Sequence, residues 1–168
     1  MDLYTLLIIG HLIGTVLGVG GVTMIEVHLN KALADGTMSP DERGMLGLNF
    51  TVLRVGPVLS FFTGLGFVIL YYMTGNETRL QNPVFWAKMF MVVIIVINAL
   101  LLQSHKVSLY WGSALSFVSW WMAALMGMFL TQGVRFGFIE IMVTYIALIV
   151  AGAFILHKIR NFFKQPTV

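Results

Sequence analysis

Long apolar runs alternate with short polar breaks along the chain, and the runs are of membrane length. A helix needs roughly 20 apolar residues to cross the hydrocarbon core of a bilayer. Five stretches qualify: about Leu3 to His28, about Phe50 to Met73, Asn82-Pro83 to about Gln103, about Leu109 to Leu130, and about Phe136 to Leu156. The second reads as the end of a longer helix. Ser39, Pro40 and Glu42 supply an N-cap, a first-turn proline and the acid of a capping box, which places its start near Pro40. Pro57 lies inside it and predicts a kink. Only His105 to Ser108 separates the third and fourth runs, so these form a tight antiparallel pair. The pattern predicts an all-α integral membrane bundle of about five transmembrane helices, one domain over residues 1–168.

Composition agrees and removes several function classes. Hydrophobic residues make up 58% of the chain and charged residues only 10%, against about a quarter charged in a soluble domain. Cysteine is absent, which excludes disulfides, thiolate metal sites and thiol catalysis. The net charge of +3 comes from Lys and Arg scattered at segment ends. That distribution speaks for topology and against nucleic acid. The first run has no basic leader and no small-residue cleavage site, so it is expected to be a span and not a signal peptide.

Charge bias sets an expected direction. With the N-terminus outside, the inner side receives Lys31, Arg43, Arg54, Lys106, Lys158, Arg160 and Lys164, while Arg79, Arg135 and Lys88 fall outside. The excess of positive charge inside predicts N-out, C-in, in keeping with a bacterial inner membrane. Tyr4, Tyr71, Tyr72, Phe85 and Trp86 then form an outer aromatic belt, and Tyr110 and Trp111 an inner one.

Ionisable groups inside spans are costly and mark function by default. The first, third and fifth segments run the same way. Each has a polar group near its outer end and a histidine about 25 Å further along the axis: His11 and His28, Lys88 and His105, Glu140 and His157. The result is an outer layer of His11, Lys88 and Glu140, and an inner layer of His28, His105 and His157. The inner histidines read either as interfacial residues complementing helix C-termini or as ligands converging on one metal or haem, with Asn98 behind His105 as support. Lys88 either snorkels outward or shares a polar contact with Glu140. Glu26, Arg54 and Arg160 read as interfacial.

His11 lies deeper, and Gly14 and Gly18 share its helix face. The glycine strip serves close helix packing. It also offers a flat wall against which a macrocycle could stand, with His11 as axial ligand. Met122 and Met126, one turn apart at about the depth of His11, are packing residues or thioether ligands.

These residues carry a resemblance. HLIGTVLGVGG, from His11 to Gly21, looks like the first helix of the copper-resistance-D-like superfamily. SFFTGLGFVIL, from Ser60, resembles its second helix, and FWAKMFMVVIIVINALL, from Phe85, its third. The four-helix protoporphyrinogen oxidases of bacteria share a helix-one histidine and a helix-three lysine in this pattern. His11 and Lys88 match residue by residue, and Gly20, Gly21 and Asn98 match more loosely. The likeness covers about Tyr4 to Leu102. The oxidases' tryptophan-containing turn and the arginine that follows are replaced here by GVGGVTMIEVHL, and the fifth segment has no counterpart. The resemblance implies handling of b-type haem or porphyrin, with copper in some members.

Three function classes follow. The first is a haem b protein that transfers electrons to or from a quinol or membrane partner, possible oxidoreductase activity included. The second is a copper-handling protein using the same histidines with Met122 or Met126 and assistance from Glu140. The third is a structural subunit of a membrane complex or a homo-oligomer, in which polar groups only hold helices together.

Overall fold

The computed structural model describes residues 1–32 and 37–163. Lys164, grouped above with the inner basic residues, lies outside the described residues. Within them the chain is all-helical: α1 (Leu3–Ala32), α2 (Pro40–Met73), a short 3-10 turn (Glu77–Arg79), α3 (Pro83–Gln103), α4 (Leu109–Thr131) and α5 (Phe138–Phe163). Five of these helices are long and apolar enough to cross a membrane.

Local chemistry sets the boundaries. Asp2 caps α1, its carboxylate accepting from Thr5 N at 2.8 Å, and hydrogen bonding from the Thr5 side chain and then its backbone N–H holds the Asp2 carboxyl below the usual carboxylate range. Ser39 and Glu42 form the expected capping box on α2, with Pro40 in its first turn. Asn82 caps α3 ahead of Pro83. Helices α2, α3 and α4 all stop the same way, with paired backbone bonds that return to the last turn. The residues that make this closure have positive φ: Gly75 (67°), His105 (54°) and Gly133 (69°). Glycine adopts that conformation freely, whereas histidine does so at a cost.

Helix directions follow from the contacts. Helix α2 runs antiparallel to α1, α4 to α3, and α5 to α4, so α1, α3 and α5 are parallel. One end of the bundle therefore carries Tyr4, Tyr71, Arg79, Lys88 and Arg135. The opposite end carries Lys31, Arg43, Arg54, Lys106, Lys158 and Arg160.

Two sub-bundles make up the interior. Helices α3, α4 and α5, joined by Val22 of α1, enclose a core that includes Val84, Ala87, Met91, Ile95, Val118, Trp120, Met122, Ala123, Met126, Ile141 and Tyr145. The Ser119 hydroxyl is fully buried there beside Tyr145 Oη. Helix α2 packs along α1, and α1 in turn packs on α4, while α2 has no extended contact with α3, α4 or α5. A glycine seam brings α1 and α2 together. A Cβ on Gly56 would lie 2.8 Å from Gly18 N and 2.9 Å from Gly14 O, a space that only glycine leaves open to a neighbouring backbone. Beyond this seam, Ile25, Leu29 and Leu46, with Met38 and Leu53, form a small core of their own. Most large apolar side chains point outward from the bundle, as expected where the surroundings are hydrocarbon.

Candidate functional site

His11 sits in α1 with both ring nitrogens engaged. Thr63 of α2 holds Nδ1 at 2.9 Å, and Lys88 of α3 approaches Nε2 at 3.1 Å. The bonding fixes the tautomer. The Thr63 hydroxyl donates to Leu59 O at 2.7 Å, so its oxygen is left to accept from Nδ1–H. Nε2 then carries the lone pair and accepts from the Lys88 amine. Phe67 stands edge-on to the imidazole, ring centroids 5.7 Å apart, and restrains it on another side.

Lys88 reaches this position because α4 yields. A Cβ on Gly127 would lie 3.0 Å from Lys88 Nζ, so the amine passes across α4 where there is no side chain. Helices α1 and α3 do not pack closely against each other. The His11–Lys88 bond spans the gap between them.

The other residues singled out in the sequence are scattered. Gly14 faces the Ser60 backbone and Gly56 of α2, and Gly18 lies under the ring of Trp120. The wall expected to carry a macrocycle is therefore filled by protein. Met122 and Met126 are buried in the α3–α4–α5 core. Glu140 does not meet Lys88. It is exposed and accepts from Gly137 N at 3.1 Å, holding the first turn of its own helix. Asn98 does not support His105: its Nδ2 donates across to α4, to Gly112 O at 2.7 Å and Ser116 Oγ at 2.8 Å.

The three histidines expected to share one depth, His28, His105 and His157, do not converge. Among the described residues no group of three or more His, Asp or Glu is placed to hold a metal ion. His28 accepts from Asn49 of α2. His157 accepts from Asn161 at 3.0 Å and stands edge-on to Tyr110. His105 is exposed in the turn that closes α3. Equal depth did not bring them together because each faces a different neighbour around the bundle.

Sequence reasoning missed a second polar cluster, near the opposite end. Arg160 of α5 donates through Nη2 to Glu26 of α1 at 2.8 Å and to Ser113 of α4 at 2.6 Å, and through Nε to Asn30 at 3.3 Å. Glu26 is only 3% exposed, so it is a core carboxylate and not an interfacial one. An acid inside an apolar run, with an arginine at the same depth of a parallel helix, was the available signal.

Compared with known proteins, the chain matches no family model, no curated protein and no solved structure.

Proposed function

We propose that this is an integral membrane protein that binds haem b or a related porphyrin through His11, with Lys88 beside it to meet the ligand's anionic substituents. The observation that carries the reading is the held tautomer of His11. Thr63 orients the ring from behind, and the Nε2 lone pair faces the gap between α1 and α3. Ligating histidines are commonly fixed in this way by an acceptor on their other ring nitrogen. The two residues that match the copper-resistance-D-like pattern residue by residue are also the two in contact.

The donor set fits an iron porphyrin in part. One neutral imidazole is available, and its amine partner can be displaced. The Gly14–Gly18 wall does not fit, since α2 and Trp120 fill it, so the ligand would enter from the α1–α3 side. Bound haem supplies one-electron chemistry, which suits exchange with a quinol or a membrane redox partner. The chain's own residues orient the imidazole, hold the amine and keep the site in an apolar setting. The copper reading would draw on the same His11 with Met122 or Met126, and among the described residues no group of three or more His, Asp or Glu is placed to hold a metal ion.

We further infer an N-out, C-in orientation in a bacterial cytoplasmic membrane, supported by the gathering of Lys31, Arg43, Arg54, Lys106, Lys158 and Arg160 at one end.

The rival is a structural subunit, which the closed glycine seam favours. Absorption spectra of the purified protein, oxidised and reduced, after expression with ample haem, separate the two. A Soret band that disappears in His11→Ala supports haem ligation. A featureless wild-type spectrum, also after added protoporphyrin, refutes it and leaves the structural role.

A further inference from the structure

The α1–α2 hairpin changes character halfway along its length. From Gly18 onward α1 is built into the bundle: Gly18 lies under Trp120, Val22 joins the core of α3, α4 and α5, and Glu26 pairs with Arg160. In the same stretch Thr23 accepts from Trp121 Nε1 at 3.3 Å. Toward Tyr4 the hairpin stands apart. No residue of α1 before Gly14 is buried, and none of α2 after Gly56, whereas α3 at that end buries Val84, Ala87 and Met91 completely.

Within this arm the two helices hold each other. Thr63 lies against Gly10, Leu7 against Gly66, and Tyr4 stands edge-on to Phe67. Among the described residues, one hydrogen bond ties the arm to α3, α4 or α5: His11 Nε2 to Lys88 Nζ at 3.1 Å. Both helices carry weak points where the arm begins. Gly18, Gly20 and Gly21 interrupt α1, and Gly56 with Pro57 interrupts α2 at the same level, since Gly56 meets Gly18. Proline gives no N–H to the preceding turn, and sharp helix bends gather at such residues.

We propose that this arm is hinged at the level of Gly18 and Pro57 and latched by the His11–Lys88 bond, and that a ligand taking His11 Nε2 releases it. Neutral imidazole has one lone pair for an acceptor role, and here it is Nε2 that carries it. Lys88 therefore loses its partner once that pair is given to a metalloporphyrin. The latch itself needs no ligand; its release rests on the porphyrin reading above.

The test measures distances on the full chain in lipid nanodiscs by double electron–electron resonance. Cysteine is absent, so spin labels attach only where it is introduced. Leu6→Cys with Trp86→Cys reports the arm against α3, and Val27→Cys with Leu100→Cys reports the opposite end; all four positions are exposed. Lys88→Met and His11→Leu break the bond from either side. Each is expected to raise the population of a longer arm distance about fivefold, the scale of one hydrogen bond, with the opposite end unchanged. Pro57→Ala, added to Lys88→Met, stiffens α2 and lowers that population. Zinc protoporphyrin, diamagnetic and open to one axial ligand, is expected to lengthen the arm distance in wild type and to add nothing in His11→Leu. An unchanged arm distance in either single variant overturns the latch, as does an equal change at the opposite end, which indicates general loosening. No effect of Pro57→Ala overturns the hinge. Zinc protoporphyrin that binds by its Soret band without moving the arm overturns the release. Failure to bind at all is failure of the porphyrin reading, and the two single variants still decide the latch.

Discussion

Arg160 of α5 and Glu26 of α1, 134 residues apart in the chain, form an ion pair at 2.8 Å with both side chains almost fully buried. Removing one partner strands the other in an apolar interior. Arg160→Ala is expected to destabilise the protein by about 3–5 kcal/mol, and Glu26→Gln with Arg160→Met together by much less. Thermal or denaturant unfolding in detergent, arranged as a double-mutant cycle, measures the difference. Additive effects of the two sites would mean that they are not coupled.

The glycine seam predicts a graded series. Gly56→Ala puts a Cβ against the backbone of α1, which cannot move aside. The expected cost is about 1–3 kcal/mol, accompanied by weaker α1–α2 association. Gly20→Ala meets nothing within 4 Å and should be neutral or stabilising by up to about 1 kcal/mol, from helix propensity alone. Melting temperatures of the two variants, measured side by side, check the order.

His105 occupies a backbone position that glycine fills at the ends of α2 and α4. His105→Gly is therefore expected to stabilise the chain by about 1 kcal/mol by relieving a left-handed residue. A loss of stability on that substitution would show that the imidazole makes a contact worth more than the strain.

Thr63→Val removes the acceptor that fixes the His11 tautomer while leaving the imidazole in place. Haem or porphyrin affinity is expected to fall about 10- to 100-fold, short of the complete loss in His11→Ala. Spectroscopic titration of the purified variants reads both. Equal affinity in Thr63→Val and wild type would show that the ring needs no such support.

A reporter fused after Val168 should be active only on the cytoplasmic side if the basic end faces inward. Activity on the far side would reverse the orientation without altering the fold.

Helix number, the α2 start at Pro40 and the short α3–α4 turn were legible in the sequence because each rests on local chemistry: apolar length, a capping box, a proline. Side-chain partners were not. Depth along parallel helices follows from counting residues, but the direction around each helix depends on packing angles that counting does not supply. His11 and Lys88 proved to be neighbours, whereas Lys88 and Glu140 did not, although all three were assigned to one layer. Glu26 and Arg160 each look interfacial when taken singly, and their pairing depends on α1 and α5 lying side by side. The shared face of Gly14 and Gly18 follows from their spacing of four. What covers that face, α2 and Trp120, depends on tertiary structure.

The attachment of α2 through α1 bears on how the chain is made. As synthesis proceeds, the α1–α2 hairpin can close its glycine seam before α3 has left the ribosome, since Gly14, Gly18 and Gly56 meet within these two helices, and Trp120 of α4 covers Gly18 afterwards. The three following helices supply most of a second core, which Val22 of α1 completes, and the halves then join mainly where α1 meets α4. A chain interrupted in the connector between Met73 and Pro83 and expressed as two pieces should reassemble in the membrane. In such a split protein, the contact between His11 and Lys88 would form only on docking, as the last event of assembly.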